Sequence, residues 1–187
     1  VSDGLTRTGE LPGGLEVERK AQYLYNRRHI DESPQTRENR LVCAYAFAVA
    51  EQNASGGEIV TAPTCGASGV MPAALLYMQE ERGFSYEAIV RALAAGGVIG
   101  DLIKTNASIS GAECGCQAEI GSACSMTAAA LGELFEMGLG QIGEHVRQRV
   151  GRRAADARID LVEDERVDVV DLSEHHFDGE HHAADLA

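Results

Sequence analysis

Apolar residues recur at helical spacing along most of the chain, and little of it alternates in the way that a β-sheet requires. The clearest case is residues 38–53, whose apolar face consists of Leu41, Ala44, Tyr45, Ala48 and Val49. The high alanine content of this segment predicts close packing against other helices. Ser-Gly-Gly at 55–57 ends the helix, and residues 58–63 are predicted to form a short extended piece.

A second helix is predicted over 70–81, because Pro72 is compatible with a first turn and Gly83 can end a helix. The third helix has Ser85 as its N-cap, and its predicted apolar face carries Ile89, Leu93 and Val98. Glycines at 96, 97 and 100 weaken this helix by about 1 kcal/mol each, which indicates tight packing or a bend. A fourth, alanine-rich helix is predicted over 120–135.

The segments outside these helices divide the chain into three parts. Residues 1–37 alternate turn signals with polar stretches, which predicts an irregular N-terminal arm. Residues 38–140 form the predicted helical core. Residues 141–187 are first arginine-rich and then acidic, which favours a flexible tail. Two histidine pairs in this tail lack the surrounding groups that fix metal geometry. The predicted fold class is therefore mainly α.

Net charge and hydropathy limit the partners and the location that we expect. The formal charge is −13, and the acidic residues lie mainly in the tail. Nucleic acid is excluded as a partner because phosphate binding requires a basic face. No apolar run of about 18 residues and no basic, apolar leader occurs, so we expect neither a membrane span nor a signal peptide. Five clustered cysteines fit a protein of the reducing cytoplasm.

Three of the five cysteines lie among glycines and small polar residues in the segment 100–126. Glycines allow the backbone to approach a bulky prosthetic group, and thiolates bind iron–sulfur clusters, so the segment predicts a thiolate metal site. Cys116 is the favoured ligand, and Cys114 remains open. Cys124 lies about 12 Å further along the axis if the intervening stretch is helical; we expect it to be a small buried residue, and Cys43 to lie in the core.

A row of polar residues precedes these cysteines. In an extended stretch, alternate side chains face one side, so the row could orient a small amino acid, with the lysine or a serine alkoxide as proton acceptor. The row consists of Lys104, Asn106, Ser108 and Ser110. The alternative is an ordinary serine-rich loop with a solvated lysine. Glu113 and Glu119 are further candidates for the base, or are surface charges.

A glycine-rich loop precedes the predicted second helix. Its amides and hydroxyls could bind a carboxylate at the helix N-terminus, and the helix dipole would favour a Cys65 thiolate. The predicted substrate-binding residues are Thr64, Cys65, Gly66 and Ser68. The alternative is a turn whose glycines serve only backbone geometry.

Three sequence blocks resemble the alpha chain, or catalytic domain, of the iron–sulfur L-serine dehydratases. Residues 9–15 are GELPGGL, with Arg-Lys-Ala at 19–21, and residues 56–72 are GGEIVTAPTCGASGVMP. Residues 104–126 are KTNASISGAECGCQAEIGSACSM. The resemblance extends over about residues 4 to 140, and such long ordered matches are highly specific.

This resemblance implies an all-helical catalytic fold and an oxygen-sensitive 4Fe-4S cluster with three cysteine ligands and one open iron. It further implies β-elimination of L-serine to pyruvate and ammonia without pyridoxal phosphate, as part of amino-acid catabolism and gluconeogenesis. The open iron acts as the Lewis acid. Cys116 matches one of the three ligands. A homo-oligomer or a separate beta chain is the implied assembly.

The chain departs from the family pattern after about Leu139. The other two ligands of the family lie in segments like Thr-Cys-Asp-Pro and Val-Pro-Cys-Ile-Glu-Arg-Asn, and neither occurs here. Three explanations follow: a truncated or frame-shifted dehydratase, an enzyme that completes the cluster with Cys65, Cys114 or the thiols of a second chain, or a non-catalytic relative that assembles with a full-length dehydratase. The first predicts an interior fragment of a longer protein.

Overall fold

The chain is mainly helical in a computed structural model that describes residues 1–27, 30–61 and 63–146. Seven helices have both ends within these residues: α1 Ser2–Thr6, α2 Ala21–Asn26, α3 Pro34–Ala54, α4 Val70–Arg82, α5 Tyr86–Asn106, α6 Gly111–Cys114 and α7 Cys116–Leu134. Residues 139–146 are also helical. The β-structure of the described residues is an isolated bridge between Glu10 and Glu18. The prediction of a mainly α fold is therefore confirmed.

Two compact units make up the chain, one of residues Val1–Phe84 and one that begins at Ser85. The bounds proposed for arm, core and tail stay predictions, and most of the tail, including its histidine pairs, lies outside the described residues. The arm itself contains two short helices, α1 and α2, that the local sequence did not indicate. None of the helices in the described ranges is both long and apolar enough to cross a membrane.

Helix α3 is the centre of the first unit, and α1, α2 and α4 pack against it. All five apolar positions of its predicted face are buried, as expected from their spacing. The helix begins four residues before the predicted start, because the Ser33 hydroxyl caps it by accepting from the Thr36 amide (3.1 Å) and Pro34 follows at the first position. Cys43 lies on the exposed side of α3, so its expected place in the core is wrong.

Helix α4 agrees closely with its prediction. It ends at Arg82, and Gly83 adopts the left-handed conformation (φ 73°) that suits a glycine after a helix. Tyr45 of α3 donates a hydrogen bond to the Glu80 carboxylate of α4 (2.6 Å). Burial, with this hydrogen bond, raises the pKa of Tyr45 well above its usual value. The phenol therefore stays neutral and remains a hydrogen-bond donor.

In the second unit, α5 packs along α7 through small residues. Ser85 caps α5 as predicted, with its hydroxyl accepting from the Ala88 amide (3.2 Å). The buried residues of α5 are Ile89, Ala92, Gly96, Ile99 and Ile103. Leu93 and Val98 are 42% and 54% exposed, so the predicted apolar face is right only at Ile89. Ile99 and Ile103 lie on the inner face instead, together with the small residues Ala92 and Gly96.

Helix α7 begins at Cys116, four residues before its predicted start. Its buried side includes alanines, serines and Met126, whose Cε atom would lie 2.9 Å from a Cβ atom built on Gly100 of α5. This close approach confirms that tight packing explains the glycine at 100. Cys124 is half-buried, which corrects the expectation of a fully buried residue.

Candidate functional site

The glycine-rich loop before α4 is held by hydrogen bonds to one carbonyl group. The Cys65 carbonyl oxygen accepts from the Ser68 hydroxyl (2.8 Å) and from the Asn53 side-chain amide (3.3 Å). Ser68 is buried, at 1% exposure. The structure thus brings Cys65 and Ser68 together, and the Ser68 hydroxyl donates its hydrogen bond within the loop.

The other predicted loop residues differ in exposure. Cys65 and Gly66 are exposed, and Thr64 is half-buried. The Thr64 hydroxyl oxygen is itself buried and has no hydrogen-bond partner in the described part of the chain.

Gly69, the N-cap of α4, cannot cap with a side chain. In the first turn the Val70 amide donates to the Ala67 carbonyl oxygen (3.2 Å), the Ala73 amide donates to the Gly69 carbonyl oxygen (3.3 Å), and Pro72 has no N–H. The loop therefore ends at the N-terminus of α4, which is the positive end of the helix dipole.

A cavity of about 370 Å³ lies beside this loop in the first unit. Among the residues that line it are Gln52, Ser68, Pro72, Val49, Asp3 and Glu58. Sequence reasoning missed Gln52 and its neighbour Glu51, although both follow Ala48 by three or four residues and so continue the buried face of α3. Polar residues on an otherwise apolar helix face were the signal that could have found them.

Glu51, the neighbour of Gln52, holds the N-terminal arm against α3 through hydrogen bonds. Its Oε1 atom accepts from the backbone amides of Lys20 (2.5 Å) and Ala21 (3.1 Å) and thereby caps α2. Arg19 donates to the Ser55 hydroxyl, which donates in turn to the Glu51 carbonyl oxygen (2.6 Å). This network explains why a helix forms inside the predicted irregular arm, since the cap comes from a distant part of the chain.

The polar row of the second unit is not one extended stretch. Lys104 and Asn106 belong to the last turn of α5, and only Ala107 and the residues after it leave the helix. The Asn106 side chain donates to the Leu102 carbonyl oxygen (2.9 Å), and Lys104 is exposed. The expected alignment of alternate side chains is therefore wrong for these two residues, because the helix continues through them.

Ser108 and Ser110 lie in the turn between α5 and α6. The Ser108 hydroxyl donates a hydrogen bond to the Glu113 carboxylate and accepts one from the Ser110 amide (3.2 Å). Glu119 lies near the same turn, because a Cβ atom built on Gly111 would come 2.7 Å from its Oε1 atom. The turn thus brings a half-buried serine close to two carboxylates. The sequence did not predict the contact between Ser108 and Glu113.

Cys116 is the first residue of α7 and follows Gly115, which has a φ of 77° that favours glycine. Its thiol is exposed, and Cys114 is half-buried. A thiolate at the first position of a long helix is favoured by the dipole, so Cys116 fits the role of one cluster ligand. Nowhere in the described ranges do three or more Cys, His, Asp or Glu side chains form a group that could bind a metal ion. All five cysteines lie in these ranges, but no three of them come together as one metal site there.

The sequence comparisons identify the family. Residues 1–148 match the family model of the serine dehydratase alpha chain. L-serine dehydratase of Streptomyces coelicolor is 51% identical over 136 residues, which cover 72% of this chain and 30% of that protein. L-serine dehydratase TdcG of Escherichia coli is 47% identical over 141 residues, which cover 72% of this chain and 31% of that protein. The chain belongs to the serine dehydratase alpha chain family.

The matched part contains both candidate regions, the loop before α4 and the segment around Cys116. The predicted resemblance is therefore confirmed at the level of the family. The chain spans about 30% of the length of these curated relatives. The roles of its individual residues stay predictions.

Proposed function

We propose that this chain forms part of the active site of an L-serine dehydratase, which converts L-serine to pyruvate and ammonia by β-elimination. The observation that carries the proposal is the family match over residues 1–148, which includes the loop before α4 and the exposed Cys116. The two curated relatives described above are both named L-serine dehydratase. We place the protein in the cytoplasm, where its exposed thiols would stay reduced.

The loop before α4 is the proposed substrate-binding element. It precedes the N-terminus of a 13-residue helix that has no side-chain cap, and the positive end of the helix dipole favours a carboxylate ligand there. The unpartnered Thr64 hydroxyl could donate to the same carboxylate. Cys65 and Gly66 are exposed there, and Ser68 fixes the loop conformation from within.

The turn between α5 and α6 is the proposed source of the base. Removal of the α-proton of serine requires an acceptor with a suitable pKa close to that proton. The Ser108 hydroxyl donates to the Glu113 carboxylate, and a carboxylate so placed can accept that proton and activate the hydroxyl oxygen. Lys104, Asn106 and Ser110 are proposed to orient the substrate near this turn, with Lys104 as the alternative acceptor.

Cys116 is proposed as one ligand of a 4Fe-4S cluster, with no pyridoxal phosphate. When bound, such a cluster supplies a Lewis acid for the leaving hydroxyl group. All five cysteines of the sequence lie among the described residues, where no group of three or more metal ligands forms, so the remaining thiolates would come from a second chain. A homo-oligomer or a separate beta chain could provide them.

A second candidate function is that of a non-catalytic fragment or assembly partner of a full-length dehydratase. One observation favours it: the described residues contain no group of three or more side chains that could bind a metal ion. The two candidates differ in whether Cys116 contributes to catalysis.

Complementation in trans separates them. In a full-length relative, the cysteine that aligns with Cys116 is replaced, which inactivates that enzyme. The inactive relative is then mixed with this chain in the absence of oxygen, and the mixture is reconstituted with iron and sulfide. The chain alone is assayed in parallel, with pyruvate as the readout. Pyruvate that appears with the wild-type chain and disappears on chelation supports the catalytic role. Absence of pyruvate from both samples, with the unaltered relative active, supports the assembly role.

Two variants of the chain serve as controls. Cys116→Ala should fail to restore activity, whereas Cys43→Ala removes another exposed thiol from a different helix and should restore it fully. Equal activity of the two variants would contradict a ligand role for Cys116.

A further inference from the structure

Helix α5 has a second apolar face, which is exposed in the described part of the chain. The helix packs along α7 through its buried side, which includes Ile99 and Ile103. Four large apolar residues on the rest of its surface are at least 42% exposed: Tyr86, Val90, Leu93 and Val98. Contiguous exposed apolar surface commonly marks an interaction site, so this outer face of α5 is a candidate interface.

Six residues of the outer face follow the alternating spacing of three and four residues that is typical of the seam between two paired helices. They are Glu87, Val90, Ala94, Gly97, Asp101 and Lys104. Five of them are exposed, and Gly97 is half-buried. Apart from the backbone of its own helix, no atom of the described chain lies within 4 Å of a Cβ atom built on Gly97. The seam is therefore open along its whole length.

The middle of the seam allows close approach of a second helix. Ala94 and Gly97 lie at its centre, so the helix presents at most one methyl group there. Small residues at a crossing point let two helix axes approach to about 8 Å, the short end of the usual range. Leu93 and Val98 flank the centre and supply apolar surface on either side of it.

The charges at the two ends of the seam select a second copy of the same helix as the partner. Glu87 and Lys104 are both exposed, and they are equally far along the helix from the midpoint between Ala94 and Gly97. In an antiparallel pair with its two-fold axis at that midpoint, Glu87 of each copy lies level with Lys104 of the other. A parallel pair would instead place like charges together at both ends, which is unfavourable.

The inner charges fit the same antiparallel arrangement. Asp101 of each copy lies within one residue of the level of Arg91 of the other. The Arg91 side chain is largely exposed, and its ion pair with Glu133 in the same chain is long (3.6 Å), so the guanidinium also has surface for a carboxylate of the partner. Hydrogen bonds from its own amide and from the Ser85 hydroxyl lower the pKa of Glu87, so that this carboxylate stays ionised.

We propose that the outer face of α5 is the interface of a homodimer, in which the α5 helices of two copies pair antiparallel and Glu87 of each copy forms an ion pair with Lys104 of the other. One helix of about 32 Å from each copy makes the contact, which is small for a permanent interface and predicts a reversible dimer. The inference goes beyond the proposed function and does not depend on it. Because it gives the Lys104 ammonium a different partner, it favours the pair of Ser108 and Glu113 as the source of the base.

Sedimentation equilibrium of the full chain over a range of concentrations tests the proposal. A reversible equilibrium between monomer and dimer is the expected result. A chain that stays monomeric up to roughly 1 mM, the limit of weak specific association, would overturn the proposal. So would a chain that is monomeric alone and associates only with a full-length L-serine dehydratase, because the outer face would then belong to a different partner.

Charge reversal tests the antiparallel pairing. Glu87→Lys and Lys104→Glu should each weaken the dimer about tenfold, because either substitution turns two symmetry-related attractions into repulsions. The variant with both substitutions should regain the association of the wild type. It lacks the Glu87 carboxylate as well, so its recovery cannot be an effect on the start of α5. Glu136→Lys is the matched control, with the same change in charge at an exposed position of the same unit outside α5.

Unchanged association in both single variants would overturn the proposal, and so would a double variant that stays as weak as the single ones. Ala94→Gln tests the centre of the seam independently of charge, because the longer side chain holds the two helices apart. It should weaken the dimer more than tenfold, whereas Ala94→Ser stays small and should retain it. Ala94 is exposed, so both variants should keep the helical circular dichroism of the wild type. Wild-type association of a folded Ala94→Gln variant would contradict the interface.

Discussion

Gly69 lies directly against the carbonyl group of Ala46, so that a Cβ atom built on Gly69 would come 2.7 Å from the carbonyl oxygen. Helix α1 also contacts the backbone of α3, since a Cβ atom on Gly4 would come 2.2 Å from the Ala48 carbonyl oxygen. Ala46 and Ala48 are two residues apart and therefore lie about 200° apart around the helix. Gly4 precedes α3 in the sequence and Gly69 follows it. Because both residues lack a side chain, the backbones of α1 and of the loop before α4 can contact the alanine-rich part of α3 directly. The loop before α4 owes its position to this contact.

Gly69→Ala should lower the free energy of unfolding by about 2 kcal/mol, as overpacking against rigid backbone does. The backbone of Gly69 (φ −81°, ψ −17°) suits alanine, so the steric contact alone causes the loss. Urea denaturation followed by circular dichroism measures it. Gly14→Ala is the control, because no atom of the described residues outside its chain neighbours lies within 4 Å of a Cβ atom built there. Equal stability of the two variants would contradict the contact.

Gly97→Ala should raise the free energy of unfolding by about 1 kcal/mol, because alanine is the better helix former. Apart from the backbone of its own helix, no atom of the described part of the chain lies within 4 Å of the new methyl group. Gly100→Ala in the same helix gains the same propensity but must displace Met126, whose Cε would lie 2.9 Å away. Thermal denaturation of both variants should therefore rank Gly97→Ala above Gly100→Ala. The reverse order would show that α5 and α7 are packed differently.

Glu51→Ala should lower the free energy of unfolding by about 2 kcal/mol, because the buried carboxylate caps α2 through two backbone amides. Glu51→Gln keeps an oxygen acceptor and should lose less. Urea denaturation compares the two, and hydrogen exchange at Lys20 and Ala21 localises the effect. Unchanged exchange at these two amides in Glu51→Ala would rule out the capping role.

The pair between Arg37 and Glu81 should make stability depend on pH. The Arg37 guanidinium donates to the Glu81 carboxylate (Nη2 to Oε1, 3.0 Å), and this hydrogen bond lowers the pKa of Glu81. Its stabilisation is fully present above the unfolded-state pKa of a glutamate, about 4.3, and is lost as the pH falls through the lower folded-state value.

Urea denaturation of wild type and Glu81→Gln, from about pH 7 down to about pH 3, measures this loss. The difference in stability should be constant at neutral pH and disappear in acid. A double variant with Arg37→Gln should show no further pH dependence from the pair. A difference that grows on acidification would contradict the lowered pKa of Glu81.

Cys116→Ala should abolish the visible absorption and the bound iron of the chain reconstituted with the cysteine-inactivated relative. Cys114→Ala tests the alternative ligand two residues away and should leave both signals intact if Cys116 alone contributes. Iron analysis and absorption spectroscopy give the result independently of activity. Retained cluster absorption in Cys116→Ala would exclude this thiol as a ligand.

Local pattern predicted the elements whose cause is local. The buried face of α3 followed from apolar spacing, and Ser85 and Gly83 marked helix ends because capping uses neighbouring residues. The inner face of α5 was predicted only at Ile89. Ala92 and Gly96 were missed because alanine and glycine carry almost no hydropathy signal, and without them the face was drawn through Leu93 and Val98 and not through Ile99 and Ile103. Helix α2 was missed because its cap, Glu51, is 30 residues away in sequence.

The candidate site was predicted where its motif is continuous. The loop at 64–69 and Cys116 could be named from their blocks, and both lie within the family match. Gln52 was missed because only the folded chain shows that its side chain is buried beside a cavity. The pairing of Ser108 with Glu113 was likewise hidden, since it depends on where α5 ends and α6 begins.

The uneven exposure of the cysteines gives each unit of the chain its own chemical reporter. Cys43 and Cys65 of the first unit and Cys116 of the second are exposed, whereas Cys114 and Cys124 are half-buried. Alkylation should therefore modify the three exposed thiols rapidly and the other two more slowly. Mass spectrometry of the labelled peptides can then follow the unfolding of either unit in the native chain, without any introduced probe.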